Sequence, residues 1–328
     1  MSGDPRIMNA QTLVAWRRQV AGEAPVAVVT GTFDMFQPGN LQAVREARRI
    51  AGHVIVVVEP DADAAGHCRP GRPQNAVETR VEMVSHLRDV DAVTSVSPGD
   101  AQGLFEGLKP LVWVTAQAEA ERSPYAGALC RAARMEVLLT REGCATEEIL
   151  AAIDGGRTPI HLPAETPDGA SSRAEAKRRR AAALHTARPV VVTVNGCFDI
   201  LHVGHLRFLA EARAMGDSLT VLMNNDASVA RYKGPTRPVF PEAFRASALE
   251  ALRSVDDVVA FPGDNPLPEI ERVKPALHVK GGSYEPDRVR QERELVERWG
   301  GKLVCTALVE GFSTTNFIRK ALASVNGS

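Results

Sequence analysis

Along the second half of the chain, short apolar, β-branched runs alternate with stretches of helical periodicity. Val190 to Val194 reads as a strand, Leu206 to Met215 as a helix closed by Gly216, and Leu219 to Met223 as a second strand, a βαβ opening. Glu242 to Leu252 follows as a helix, Val258 to Phe261 as a strand, Leu267 to Val273 as a helix and Ala276 to Val279 as a strand. Arg288 to Trp299 is helical up to Gly300-Gly301, Leu303 to Leu308 is extended, and Thr315 to Leu322 forms a last helix. Strands separated by helices predict a mainly parallel sheet covered on both faces. The expected fold class is α/β, an open Rossmann-like domain.

The chain carries this unit twice. Gly31, Asp34, Arg72-Pro73, Arg80, Val90-Asp91 and Lys109-Pro110 recur 165 residues later as Gly196, Asp199, Arg237-Pro238, Arg245, Val255-Asp256 and Lys274-Pro275. A period of that length marks duplication of a whole domain rather than a solenoid of short repeats. The predicted division is a first domain over 1–154, a connecting segment over 155–188 and a second domain over 189–328. The connector is rich in Pro, Gly and Ser from Gly155 to Ser172, and then becomes a basic, Ala-rich helix candidate over Arg173 to Leu184. That helix reads as a solvated lead into the second domain, with a polyanion contact as the rival reading.

Composition narrows the class. With 328 residues, 44% hydrophobic and 24% charged, the chain has the make-up of a globular protein large enough for two cores. Lys+Arg 39 against Asp+Glu 40 leaves a formal charge of −1, without the basic excess that drives nucleic-acid binding. The five cysteines are scattered and lack CxxC pairing, which argues against a disulfide framework or a structural zinc site and favours a reducing cytoplasm. No run of 18 uncharged apolar residues occurs, so neither a membrane span nor export is expected.

The candidate chemistry lies just after the first strand of the second copy, where open α/β sheets bind ligands. The string there is Asn195-Gly196-Cys197-Phe198-Asp199-Ile200-Leu201-His202-Val203-Gly204-His205. If it begins the helix that continues to Met215, His202 and His205 project to one side of the helix N-terminus, and Gly204 lets a bulky anion approach the backbone between them. The free N–H groups and positive dipole end of that helix favour phosphate oxygens. A metal site and two incidental histidines are the rival readings. The first lacks further ligands at metal-binding spacing.

The whole string resembles the signature of the cytidylyltransferase-like nucleotidyltransferases. Three further segments, Lys233-Gly234-Pro235-Thr236-Arg237-Pro238, Val279-Lys280-Gly281-Gly282-Ser283-Tyr284 and Glu310-Gly311-Phe312-Ser313-Thr314-Thr315-Asn316, resemble the adenylyltransferase domain of bacterial ADP-heptose pathway enzymes in the same order. The resemblance spans about Pro189 to Leu322 and does not extend to the sugar-kinase domain often fused to that family. It implies two tandem Rossmann-like nucleotidyltransferase domains with mainly parallel sheets. The implied reaction is attack of a phosphate-monoester oxygen on the α-phosphorus of ATP, giving an ADP-sugar and pyrophosphate. By resemblance His202 and His205 contact the triphosphate and Lys233 and Lys280 neutralise it. Gly196, Cys197, Phe198, Asp199, Gly204, Asp226, Gly281, Glu310, Ser313, Thr314 and Thr315 make up the nucleotide-binding surround. Magnesium is expected as the companion of ATP, with no protein ligand cage.

Duller readings stand beside these assignments. Ser313 to Thr315 could be an N-cap, the two lysines surface residues, Asp199 a turn residue and Cys197 packing. Asp226 is ambiguous, and Arg245, matched by Arg80, may serve the fold. A cytidylyltransferase for glycerol phosphate, ethanolamine phosphate or a similar alcohol phosphate is the alternative within the enzyme class, and a non-catalytic nucleotide-binding scaffold the alternative outside it.

The first copy has Gln37 for His202, Asn40 for His205, Cys68 for Lys233 and Thr115 for Lys280. Its last motif, Arg141 to Glu148, places acids where the second copy has Thr315 and Asn316, and carboxylates there would repel a triphosphate. Turn and packing residues stay while chemical groups go, so a catalytically dead first domain is expected. A duplicated domain inherits a self-complementary surface, from which an intramolecular pseudo-dimer follows as an expectation.

Overall fold

The computed structural model describes residues 3–66, 68, 71–116, 123–138, 149, 155, 189–282, 286–307, 314 and 317–319. The chain divides into two compact units, Met1–Leu150 with Thr315–Ser328, and Ala151–Thr314. In the first, α1 (Ala10–Trp16) precedes β1 (Val26–Gly31), α2 (Pro38–Ile50), β2 (His53–Val58), α3 (Asp61–Ala65), α4 (Val77–Ser85), β3 (Ala92–Ser95), α5 (Ala101–Leu108), β4 (Val112–Ala116), α6 (Ala126–Ala132) and β5 (Arg134–Leu138). The second contains β6 (Val191–Gly196), α7 (Val203–Ala214), β7 (Ser218–Asn224), α8 (Asp226–Lys233), α9 (Glu242–Glu250), β8 (Asp257–Phe261), α10 (Leu267–Val273), β9 (Leu277–Gly281), α11 (Arg290–Glu297) and β10 (Lys302–Thr306).

Both sheets are parallel throughout and share one strand order, β3-β2-β1-β4-β5 in the first unit and β8-β7-β6-β9-β10 in the second. The chain therefore builds outward from β1 or β6 on one side, then returns to build on the other. A crevice opens at the carboxyl ends of β1 and β4, and of β6 and β9, where the order reverses. Every residue of β1 and of β7 is buried, as expected for strands covered on both faces. In the first unit Leu104, Phe105 and Leu108 of α5 pack with Leu13 and Trp113. In the second, Ile270 of α10 and Leu295 and Val296 of α11 pack with Leu222 and Phe261.

The repeat extends to backbone detail. Phe33 and Phe198 both take positive φ, 53° and 45°, and Arg72-Pro73 and Arg237-Pro238 are both cis. Lys109 and Lys274 end α5 and α10 in the left-handed conformation, and the proline after each cannot continue the helix. The Lys-Pro pairs are thus helix stops.

The strands expected of the second copy, and its expected helices through α11, are present with shifted ends, and α10 has the predicted bounds. Helix α8 is additional. Apolar periodicity does not announce it, since only Ser228 and Val229 are buried, and its start rests on the Asn225 side chain accepting from Ser228 N at 2.9 Å. The helix candidate over Arg173 to Leu184, and nearly all of the connecting segment, lie outside the described residues. Of the last expected helix, 317–319 are described and helical.

Candidate active site

Helix α7 begins where β6 ends and a six-residue turn has passed, and His202 is its N-cap residue, with extended φ and ψ of −135° and 166°. His205 falls one turn later. Their rings stack, with centroids 3.8 Å apart and planes inclined by 20°, and Phe198 packs edge-on against His205 at 5.4 Å. Burial lowers the His202 pKa to about 4. Burial, followed by the neighbouring charge of His202, lowers that of His205 to about 3, against a hydrogen bond with the Ile200 backbone that raises it. Both imidazoles are therefore neutral near pH 7, each with a single N–H, and that of His205 is engaged with the Ile200 backbone. Gly204 is buried between them.

The turn before the histidines is held by structure that both copies share. A Cβ on Gly196 would lie 3.1 Å from the Phe198 ring, and one on Gly31 3.3 Å from that of Phe33, so Gly-x-Phe is a packing requirement. Asp199, buried, accepts from Val239 N at 2.8 Å, Phe240 N at 3.1 Å and Arg237 Nε at 2.5 Å. Asp34 does the same with Gln74 N, Asn75 N and Arg72 Nε. Arg245 donates to the carbonyls of Phe240, Cys197 and Asn224 and to the Asp226 carboxylate, tying three loops together beneath the site. Asp199, Asp226 and Arg245 thus have structural work that the first copy repeats.

Lys280, on β9, donates to Asn195 Oδ1 of β6 at 2.9 Å and to Glu292 Oε1 of α11 at 3.0 Å. It stands at the mouth of the β6/β9 crevice, beside the start of the Gly196–His205 turn. A Cβ on Gly281 would meet Phe208 of α7 at 3.2 Å, so glycine there lets the end of β9 approach the histidine helix. Lys233 ends α8, exposed, and its charge reaches Cys197. Burial raises the Cys197 thiol pKa, with Lys233 and Arg245 opposing, and its Sγ faces Asn224 Oδ1 at 4.0 Å. The Thr314 hydroxyl donates to the Ile200 carbonyl at 3.2 Å, linking the last motif to the histidine turn. Glu310, Ser313 and Thr315 lie outside the described residues.

The structure therefore brings the histidine pair, the Gly196–Asp199 turn, Lys280, Gly281 and Thr314 to one end of one sheet. Not foreseen are Thr193, His278 and Glu292, and the pairing of Asn195 with Lys280, contacts that cross 12 to 85 positions of sequence. In the first copy Gln37 repeats the His202 backbone, at −130° and 161°, as N-cap of α2. Buried Glu59, accepting from Thr32 Oγ1 at 2.9 Å, occupies the register position of Asn224. The repeat register alone exposes that exchange of an amide for an acid.

The model of the cytidylyltransferase-like family matches residues 28–167 and 193–320, one match on each copy. The chain belongs to the cytidylyltransferase-like family. The second copy is of nucleotidyltransferase type. Among curated relatives, the bifunctional protein HldE of Syntrophotalea carbinolica is 48% identical over 132 residues, 40% of this chain and 27% of that protein. That of Geotalea uraniireducens is 52% identical over 130 residues, 40% and 26%, and that of Magnetococcus marinus 43% over 159 residues, 48% and 32%. The matched stretch thus spans only about a quarter to a third of those relatives. Among solved structures, a lipopolysaccharide core biosynthesis protein from Thermoplasma volcanium is 27% identical, covering 38% of this chain and all of that one, with a TM-score of 0.33. No helix among the described residues is long and apolar enough to cross a membrane.

Proposed function

We propose that the second copy transfers an adenylyl group from ATP to the phosphate of a sugar 1-phosphate of the heptose type, releasing pyrophosphate. The observation that carries this reading is the stacked, neutral His202–His205 pair at the N-terminus of α7, at the sheet's point of strand reversal. An acceptor phosphate oxygen attacks the α-phosphorus while the bond to the pyrophosphate oxygen breaks. Charge gathers on the phosphate oxygens, where the imidazole pair, the helix N-terminus and the lysine ammonium groups offset it without a covalent enzyme intermediate. The choice of ATP and of a heptose 1-phosphate is supported by the Lys233–Pro238 and Lys280–Gly282 strings and by the HldE relatives.

Magnesium, the usual companion of ATP, would come with the triphosphate. Asp199 and Asp226 are each engaged by a guanidinium, and among the described residues no three His, Cys, Asp or Glu side chains cluster in metal-ligand fashion. Oxygen donors for the ion would then be chiefly the phosphates.

For the first copy we propose a retained fold without catalysis, since Gln37, Asn40, Cys68 and Thr115 stand where the second has two histidines and two lysines. The deciding experiment is pyrophosphate release across a panel of nucleoside triphosphates and phosphate acceptors. Turnover with ATP and a heptose 1-phosphate is the expected result. Turnover confined to CTP with an alcohol phosphate would replace the reading with a cytidylyltransferase, and no release with any pair would leave a nucleotide-binding scaffold.

A further inference from the structure

Behind Lys280 lies a polar chain that the proposed chemistry does not itself require. His278 and Lys280 share one face of β9, Thr193 and Asn195 one face of β6, and Glu292 of α11 reaches that face. His278 is wholly buried, with Nδ1 2.8 Å from Thr193 Oγ1. Its Nε2 lies 3.9 Å from Glu292 Oε2, and among the described residues neither of those two buried atoms has a hydrogen-bond partner. Glu292 Oε1 meanwhile holds Lys280 at 3.0 Å.

The charge of Glu292 selects the imidazole tautomer. A hydrogen on Nδ1 would aim the Nε2 lone pair at a carboxylate oxygen, whereas a hydrogen on Nε2 aims a donor at it and leaves Nδ1 to accept from the Thr193 hydroxyl. Burial, with the Lys280 charge second, lowers the His278 pKa to about 3, so the ring is a neutral donor. The Nε2–H and Oε2 are about 1 Å beyond hydrogen-bond length, a gap that a small side-chain rotation closes. The first copy has Trp113 at the register position of His278, Thr30 at that of Asn195 and Thr115 at that of Lys280, and Trp113 Nε1 donates to Thr30 Oγ1 at 3.1 Å instead. The chain of polar groups is thus confined to the copy that keeps the lysine.

A carboxylate on Lys280 competes with any phosphate for the same ammonium, and a buried carboxylate stripped of its cation is costly unless another donor takes it. We propose that Glu292 is a two-position counter-ion, holding Lys280 while the β6/β9 crevice lacks an anion and passing to the Nε2–H of His278 when a phosphate chain takes Lys280 over. This rests on the reading that the crevice accepts a phosphate chain. Glu292 and His278 are then positioning residues that keep Lys280 ordered in the empty site and release it on loading.

The test is calorimetric titration of the full chain with inorganic tripolyphosphate, for the wild type, Glu292→Gln and His278→Phe, joined to 15N spectra of the wild-type imidazoles. Removing the competing charge in Glu292→Gln tightens binding by on the order of five- to tenfold, and removing the second position in His278→Phe weakens it by a similar factor. Saturation with tripolyphosphate shifts the His278 Nε2–H resonance of the wild type, a readout that does not depend on how any variant folds. Binding to Glu292→Gln no tighter than to the wild type, or an unmoved His278 resonance at saturation, overturns the proposal and leaves the nucleotidyl-transfer reading intact. Failure of the wild type to bind tripolyphosphate overturns both. Tighter binding by Glu292→Gln without nucleotidyl transfer on any acceptor supports the counter-ion and removes the proposed function alone.

Discussion

Arg245 donates through Nη2 to the Asp226 carboxylate at 2.8 Å, and 165 residues earlier Arg80 makes the same bond to Asp61 at 2.6 Å. Each guanidinium is fully buried and also bound to three backbone carbonyls. Since one copy keeps this arrangement without the histidines or lysines, Arg245 serves the fold. We predict that Arg245→Ala costs about 3–5 kcal/mol of stability, because it leaves buried acceptors and a carboxylate without their donor. Arg245→Lys recovers little, since an ammonium cannot reach the same spread of acceptors. Chemical denaturation of both variants checks this, and a loss under 1 kcal/mol for the alanine variant would count against it.

His205→Ala should lower the rate of pyrophosphate release by about 10²–10³-fold, the scale for removing one preorganised electrostatic group. The double variant His202→Gln, His205→Asn copies the first domain into the second. It should lose activity at least as fully while keeping its melting temperature, since Gln37 and Asn40 occupy the same helix start without disturbing it. Unchanged turnover in either variant would falsify the role given to the pair.

Acid should destabilise the protein through three of its histidines. The folded pKa values of His202, His205 and His278 are lowered to about 4, 3 and 3 from 6.5, so below 6.5 the unfolded chain takes up protons that the folded chain refuses. Their contribution is fully present above pH 6.5 and drains away as the pH falls towards 3 to 4. Thermal melts from pH 7 to 4 should show a falling midpoint, with a shallower slope in His278→Phe. Imidazole resonances of the three that titrate between pH 6 and 7 would contradict this.

Gly216 ends α7 against β6, where a Cβ would lie 2.5 Å from Val190 O and 2.6 Å from Val192 Cγ2. That carbonyl is fixed by accepting from Asp217 N at 2.9 Å. Gly216→Ala should therefore cost about 1–3 kcal/mol, the usual scale of overpacking. The denaturant midpoint should fall with an unchanged slope, and a midpoint equal to that of the wild type would rule the clash out.

Much of this protein was legible in its sequence, for a local reason. Strand and helix periodicities are carried by neighbouring residues, so the βαβ order and the bounds of α10 follow from short windows of chain. The duplication added an internal comparison, separating Gly196, Phe198 and Asp199, which both copies keep, from His202 and His205, which one copy gave up. Helix α8 escaped because its weak apolar face leaves only the Asn225 cap as a signal.

Strand order, by contrast, comes from the whole sheet. Placing β9 beside β6 brings Lys280 onto Asn195, 85 residues away, and the docking of α11 sets Glu292 between Lys280 and His278. The partners of Asp199 come from backbone about 40 residues later. Sequence therefore determined which groups the two copies hold and, in the second copy, the order of most of its strands and helices. Only the tertiary structure decided which of those groups meet, because such contacts depend on sheet register and helix docking rather than on any residue's neighbours in the chain.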